Sequence, residues 1–388
     1  MPDEFTTSPN ADGPVQFIPS DYSAPPPRPG MGLCLSGGGY RAMVFHLGCL
    51  IRLNEAGLLK KLKRISSVSG GSIIAGVLGL KWKSLDFKGD VAQNFELVIE
   101  PVRTMAGKTI DVKAVLEGVL LGTISKQVEE AYDSTLFHGA TLQNLPSDEE
   151  GPRFVINATN VQSGALCRFS KPFMADYLVG MAPLPTVPLA KAVAASSAFP
   201  PILSPCVLEV DPGNFKPDPA CPLQKEPFTS KMVLSDGGVY DNMGLETVWK
   251  DYQTVLVSDA GGKIAPEGNP KHDWILHGIR VLDIVDNQVR SLRKRQVIEA
   301  FKTHGSFHNG TYWGIRSHVN DYHLTDSFDC SEARTLELAQ TPTRLQALDP
   351  EYQERLINWG YAICDTAIRA HVDSAISKGK LPYPSSLI

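Results

Sequence analysis

The sequence predicts an α/β protein: a three-layer α/β/α fold with a mostly parallel central sheet and a helix-rich cap insertion. Three observations carry this expectation. Short apolar runs of strand length, such as residues 31–35 and 64–68, are followed closely by helical stretches. Turns rich in glycine and serine, "SGGGYRA" (36–42) and "SVSGG" (67–71), lie between strand and helix in both cases. Further short apolar runs recur beyond residue 150. Strands alternating with helices favour parallel pairing and a sheet covered on both faces.

Taken in order, residues 1–30 end in "SAPPPRPG" and read as a disordered or extended leader. Met31–Leu35 reads as a buried strand and Gly37–Gly39 as a turn. Ala42–Ala56 reads as a helix closed by Gly57, and being apolar nearly all round it should be buried. Arg64–Val68 is the next strand, Ser69–Gly70 a corner, and Ser72–Leu80 a helix. Residues 81–150 are helix-rich and suit a cap over the sheet. Further strands are expected at Arg153–Asn157, Met232–Leu234, Thr254–Val257 and Arg280–Leu282. The five prolines of residues 211–230 mark a surface insertion. Apolar or small residues at 352, 356, 359, 363, 367 and 370 predict a closing amphipathic helix with one core face. The expected organisation is a leader (1–30), a main α/β domain (31–262) and a mainly helical C-terminal extension (263–388) packed on the same domain.

Composition narrows the function classes. With 388 residues, 43% hydrophobic and 20% charged, the chain suits a globular protein with ample core. A formal net charge of -5 argues against a nucleic-acid binder that works by bulk charge. The seven cysteines are scattered, with no CxxC or Cys/His cluster, so reduced thiols in a cytosolic protein are expected and no metal site. The polar, acidic N-terminus lacks the pattern of a signal peptide. No stretch approaches the ~20 apolar residues of a spanning helix.

Three motifs carry chemistry. In "SVSGG" the pattern G-x-S-x-G is broken only at its first position, where Ser67 stands for glycine. Small residues flanking a nucleophilic serine let strand and helix backbones nearly touch, which makes Ser69 a candidate nucleophile; an ordinary turn is the alternative. In "SGGGYRA" three glycines leave backbone N–H groups free beside a helix N-terminus, a nest for an anion, unless the loop serves only close packing. No Gly-Lys-Ser/Thr follows, which argues against Walker-type nucleotide binding. As an oxyanion hole the loop would contribute roughly 3–4 kcal/mol per donor to the transition state. In "VLSDGGVYDNMG" (233–244) Asp236 follows an apolar strand directly, where a carboxylate faces a ligand site. Asp259 in "VLVSDAGG" has a similar setting, and Asp241 suits a helix cap.

The order SGGGYR, SVSGGS, SDGG resembles the patatin-like phospholipase family, as do "PRFVINATNVQSG" (152–164) and "AASSAFPP" (194–201). "SGGGYRAM" is similar to the cytosolic phospholipases of the same superfamily. This resemblance covers about residues 31–262. It implies a Ser–Asp dyad without histidine, with Ser69 as nucleophile, Asp236 as general base, and the amides of Gly37, Gly38 and Gly39 as oxyanion hole. Arg41 would stand nearby as an anion or headgroup contact. It also implies a lipid acyl hydrolase that needs no cofactor or metal and meets its substrate by peripheral contact with a membrane from the cytoplasm. A soluble esterase or thioesterase with the same dyad, and a silent lipid-binding member, are the alternatives. A Ser-His-Asp hydrolase would need a histidine after Asp236, and positions 272, 277, 304, 308, 318, 323 and 371 satisfy that order. His46 suits a packing role. The run "RSLRKRQ" (290–296) suits a solvated helix face, with anionic lipid as the other reading.

Overall fold

The computed structural model describes residues 26–110 and 123–388, so the leader up to residue 25 and residues 111–122 of the cap lie outside it. Its centre is a sheet of ten strands. The strands β1 (Arg28–Leu35) and β2 (Leu62–Ser67) are joined by helix α1 (Gly39–Glu55), and α2 (Gly70–Lys81) follows β2. A small hairpin, β3 (Phe87–Lys88) and β4 (Val91–Ala92), leads to α3 (Glu96–Ala106) and α4 (Thr123–Tyr132). A run of strands comes next: β5 (Arg153–Asn160), β6 (Ala165–Phe169), β7 (Phe173–Asp176) and β8 (Gly180–Pro183). After α5 (Leu189–Ser196) come β9 (Cys206–Glu209) and β10 (Lys231–Asp236). Two single turns, α6 (Gly238–Asp241) and α7 (Glu246–Trp249), precede β11 (Tyr252–Asp259). The chain ends with α8 (Trp274–Lys302), β12 (Asn309–Gly314), α9 (Glu332–Ala339) and α10 (Pro350–His371).

Five strands, in the order β12-β11-β1-β2-β5, are parallel throughout and form the centre of the fold. Beyond β5 the sheet turns antiparallel through β6, β7 and β8. The period-2 alternation of strands feeds two cores. Leu33, Leu35 and Leu256 join the larger one with α1, α2 and α10. Cys34, Val255 and Val257 face the other side, against Met243, Val248 and Val297. Helices therefore cover both faces, which is the three-layer arrangement the alternating pattern predicts. The described parts of the 81–150 segment pack on α1, α2 and α5. All seven cysteines are free thiols. No helix among the described residues is long and apolar enough to cross a membrane.

Four expectations are corrected. The first strand begins at Arg28, inside the segment read as leader. Arg280–Leu282 is not a strand but lies within the 29-residue helix α8, whose N-cap Asp273 accepts the Leu276 N–H at 2.8 Å. The short β-branched run there is part of a longer helical pattern, and the sheet edge is taken by β12, whose sequence NGTYWG has no apolar run. β10 is not a parallel strand: it pairs antiparallel with β5 and with β9, closing a hairpin around the proline-rich insertion. Finally, α10 has no wet face along most of its length. Leu356 through Arg369 are all buried, and its polar residues find internal partners. Asp365 binds Arg52 at 2.7 Å, and Asn358 donates to the carbonyls of Tyr383 and Ser386 in the terminal tail.

The contact of α1 with α10 is backbone against backbone. A Cβ on Gly48 would lie 1.9 Å from the Ile357 carbonyl oxygen, and one on Gly360 2.0 Å from that of Phe45. Either glycine changed to alanine forces two helices of the main core apart. Gly48→Ala and Gly360→Ala should each destabilise the fold by about 3 kcal/mol, read as a lowered urea midpoint. Unchanged midpoints would show that the crossing has slack.

Candidate active site

The fold brings Ser69 and Asp236 together end to end. β2 runs parallel to β5 and ends where Ser67 pairs with Ile156. Two residues further along β5, Ala158 pairs with Asp236, the last residue of the antiparallel β10. One edge of β5 is thus shared by two strands arriving from opposite directions, with the corner after β2 facing the end of β10.

Ser69 sits at that corner with φ 52° and ψ −121°, a left-handed conformation that costs a non-glycine residue about 1–3 kcal/mol. The surroundings hold it there. Its N–H donates to Ser196 Oγ at 3.0 Å; Ser196 Oγ in turn donates to the Asn157 carbonyl at 2.6 Å and bonds Ser72 Oγ at 2.9 Å. Ser72 Oγ reaches Ser67 Oγ at 3.0 Å. The serine in place of the motif's first glycine therefore fits, and takes part in the bracing. The following position has no such freedom: a Cβ on Gly70 would lie 2.1 Å from the Gly39 carbonyl oxygen. Ser69 is 8% exposed, so the elbow is nearly closed over.

Asp236 is equally held. Its N–H donates to the Ala198 carbonyl at 2.9 Å, and its carbonyl accepts from Thr159 Oγ1 at 2.8 Å. Oδ1 accepts the Gly238 N–H at 2.7 Å. Oδ2 is buried with no hydrogen bond of good geometry, and the Ser69 hydroxyl is close enough to act on the carboxylate. Burial pushes the Asp236 pKa up most strongly. The Gly238 N–H and then the Ser69 hydroxyl pull it down, and the charge of Asp286 on α8 lifts it, leaving it at about 7.

The glycine loop borders Ser69, and a Cβ on Gly37 would lie 3.2 Å from Ser69 Cβ. Gly37, expected as an oxyanion donor, gives its N–H to the Asn242 carbonyl at 3.1 Å. Gly38, at φ 144°, and Gly39 make no hydrogen bond through their N–H groups among the described residues. The Gly70 N–H, also without an acceptor there, lies beside Gly39. The donor set the geometry offers is thus Gly38, Gly39 and Gly70. The sequence motif does not single out Gly70, although the amide directly after the serine is the usual second donor where such an elbow is catalytic.

Arg41 is buried rather than open to a headgroup. It donates to the Ala260 carbonyl from Nε at 3.1 Å and Nη2 at 3.0 Å, and to the Thr341 carbonyl from Nη1. Burial, then Arg290 and Arg316, lower its pKa to about 10. His46 is a buttress beneath the loop, with Nδ1 2.8 Å from Ser258 Oγ and Nε2 3.0 Å from the Ser36 carbonyl.

The other candidate acids are occupied. Asp259 binds Arg290 at 3.1 Å, the Tyr312 hydroxyl at 2.8 Å and the Gly261 N–H at 2.9 Å. Asp241 accepts the N–H groups of Met243 and Glu246, capping α7. None of the seven histidines after Asp236 forms a hydrogen bond or ion pair with Ser69 or Asp236; His308, for example, stacks on Trp249, and His318 pairs with Glu332. The basic run also departs from expectation. Arg290 and Arg293 turn inward to Asp259 and Glu246, leaving Arg295 exposed. Tyr132, at the end of α4, is a buried neighbour whose phenol acts electrostatically with Asp236; no motif marked it.

The corner thus holds a strained serine, a buried carboxylate and three unclaimed amides. The family model described as patatin-like phospholipase matches residues 33–249, more than half of the chain. The chain belongs to the patatin-like phospholipase family. Among solved structures it is similar to human GIVD cytosolic phospholipase A2, at 13% identity and TM-score 0.41 over 60% of this chain and 43% of that one. The same enzyme in complex with methyl gamma-linolenyl fluorophosphonate gives 15% identity and TM-score 0.46, over 87% and 57%. VipD from Legionella pneumophila gives 15% and 0.36, over 88% and 66%. The chain thus spans less than half of the first of these. No curated protein matches it.

The Asp236 pKa has a consequence for stability. An Asp that ionises at about 7 folded, against its ordinary 3.8, keeps a proton that the unfolded chain has released. Stability attributable to it therefore falls as pH rises from about 4 to about 7 and stays low above. The melting temperature of Asp236→Asn, relative to the native chain, should climb across that window and then level. Parallel melting curves at pH 4 and pH 8 would refute the shift.

Proposed function

We propose that this chain is a lipid acyl hydrolase that cleaves fatty acyl esters through a Ser69–Asp236 dyad and an acyl-enzyme. The observation that carries the reading is the buried Asp236, with one oxygen unclaimed, at the end of the lane that the Ser69 elbow also enters. Family membership supports an ester of a lipid as substrate.

In the proposed mechanism, Asp236 takes the Ser69 proton as Oγ attacks the ester carbonyl. Negative charge then develops on the carbonyl oxygen, where the amides of Gly38, Gly39 and Gly70 would receive it. Collapse of this intermediate breaks the acyl–oxygen bond, and the leaving alcohol takes the proton back from Asp236. Water attacks the acyl-Ser69 ester with Asp236 again accepting a proton; the acyl carbon–Oγ bond then breaks, Asp236 returns the proton to Ser69 Oγ, and the fatty acid leaves. A carboxylate near pKa 7 is a stronger base than an exposed one yet still ionised in a useful fraction at neutral pH.

Ser69→Ala should lose hydrolysis and labelling by a fluorophosphonate while keeping its fold. Asp236→Asn should lower kcat by roughly 10²–10⁴-fold, the usual contribution of a general base. Alanine at any one of the seven histidines should leave most of the turnover. A histidine variant as inactive as Ser69→Ala would replace the dyad with a triad. Since the base must be ionised, kcat/KM should rise with pH to a plateau, with its midpoint at about 7. Loss of that limb in a histidine variant, with Asp236→Asn still active, would refute the assignment.

A further inference from the structure

Helix α8 is amphipathic in the wrong sense for a helix in water. Three of its charged residues turn toward the protein: Arg290 binds Asp259, Arg293 binds Glu246, and Asp286 lies close enough to Asp236 for its charge to act there. Between Trp274 and Leu292 most of its apolar residues turn away, whereas Val297 beyond them packs into the core. Ile275, Leu282, Ile284, Val285, Val289 and Leu292 are each 37–62% exposed, and Trp274 at the N-terminal tip is 84% exposed. The exposed positions from 274 to 292 include no lysine, arginine, aspartate or glutamate; only His277 and Gln288 interrupt the apolar face. A surface helix ordinarily shows the reverse arrangement, and contiguous apolar surface of this kind marks an interaction site.

The position of the helix says what the face meets. Its inward charges lie at the carboxyl end of β11 and beside Asp236, and α6, which follows Asp236 directly, packs against it. Exposed Phe199, Ile202 and Val239 flank the same site: Phe199 follows Ala198, which holds the Asp236 N–H, and Val239 follows Gly238, which holds Oδ1. The apolar face is thus continued by the apolar rim of the site. Arg290 and Arg293 are already paired inside, and a tryptophan stands at the tip, a residue favoured at the boundary between headgroups and acyl chains.

We propose that α8 is an interfacial helix whose outward face sinks into the surface of a lipid bilayer and lays the mouth of the Ser69–Asp236 site against the lipid. The proposal rests on the lipid substrate proposed above. The apolar length from Trp274 to Leu292 is about 27 Å at 1.5 Å per residue, lying in the membrane plane. Because the attraction is apolar, it requires no anionic headgroup and is little screened by salt.

The test is flotation of the full chain with neutral phosphatidylcholine vesicles at 0.1 and 0.5 M NaCl (Debye lengths of about 10 Å and about 4 Å), beside Leu282→Gln/Val285→Gln. Both changes face solvent, so hydrolysis of dissolved p-nitrophenyl butyrate should match the native chain. The native chain should float at both salts, and the variant's partition should fall roughly tenfold or more. Trp274→Ala, away from the helix body, should weaken flotation in the same direction. A native chain that stays with the soluble fraction, or a variant that floats equally well, overturns the proposal. So does a native dimer in sedimentation velocity that the double substitution dissociates while flotation is unchanged, since a second copy then covers the face. Flotation without any lipid hydrolysis would remove the proposed substrate and leave the docking face standing. Undiminished hydrolysis of vesicle lipid by a variant that no longer floats would do the opposite.

Discussion

The geometry of the site depends on one joint, at the C-terminal end of α5. Ser69 and Asp236 come from strands that never pair with each other, and each meets β5 at a different part of its edge. Ser196 spans the gap. Its hydroxyl takes the Ser69 N–H, and its carbonyl takes the N–H of Gly237, the residue after Asp236. Ala198, two residues on, takes the N–H of Asp236 itself. A residue at φ 52° stays there only if its neighbours over-determine it. Here the same short segment that holds the strained serine also holds the acid, so the two cannot drift independently.

The glycine loop is fixed from the other side, by parts of the chain far from it in sequence. The Ser36 hydroxyl accepts the Ala260 N–H, and Arg41 donates to the Ala260 carbonyl, so the loop is stitched to the end of β11. The carbonyls of Thr341 and Arg344 receive Arg41 and the Tyr40 N–H. Residues beyond 262 therefore belong to the site's framework. Arg41, placed by motif near the reacting atoms, commits each of its three nitrogens to this stitching; a buried guanidinium is tolerated because carbonyl groups surround it.

Three acids with similar local sequences have been given different work by their surroundings. Asp259 is surrounded by Arg290, Tyr312 and the Gly261 amide, which together hold its pKa below the usual range despite burial. Asp241 is spent on capping amides. Asp236 receives one amide and is otherwise dry, and burial there lifts the carboxyl to about 7, where it exchanges a proton near neutrality. The same economy of charge explains α8. Arg290 and Arg293 are drawn inward by Asp259 and Glu246, and the rotation that satisfies them leaves the apolar residues between 274 and 292 outside.

What the sequence by itself determined was local: where a strand must break at Ser69 with glycine after it, where three glycines clear space beside it, and where an acid ends a strand. These are legible because sterics act between residues adjacent in the chain. The burial of α1 was legible for the same reason, from an apolar pattern with no polar face. The partners of each group were decided only by the tertiary structure. Nothing near Gly37 in sequence reveals that Asn242 takes its amide, nor that Gly70 lies against Gly39. The apolar and charged faces of α8 are both written in its sequence, yet which of them turns inward depends on acids more than thirty residues away or across the sheet. The antiparallel course of β10 likewise follows from its pairing with β5, a contact between residues 78 apart in the chain (Asp236 with Ala158) that no local pattern specifies. Hydrogen bonds and ion pairs select among the placements that local sterics allow, and they act between residues that only folding brings within reach.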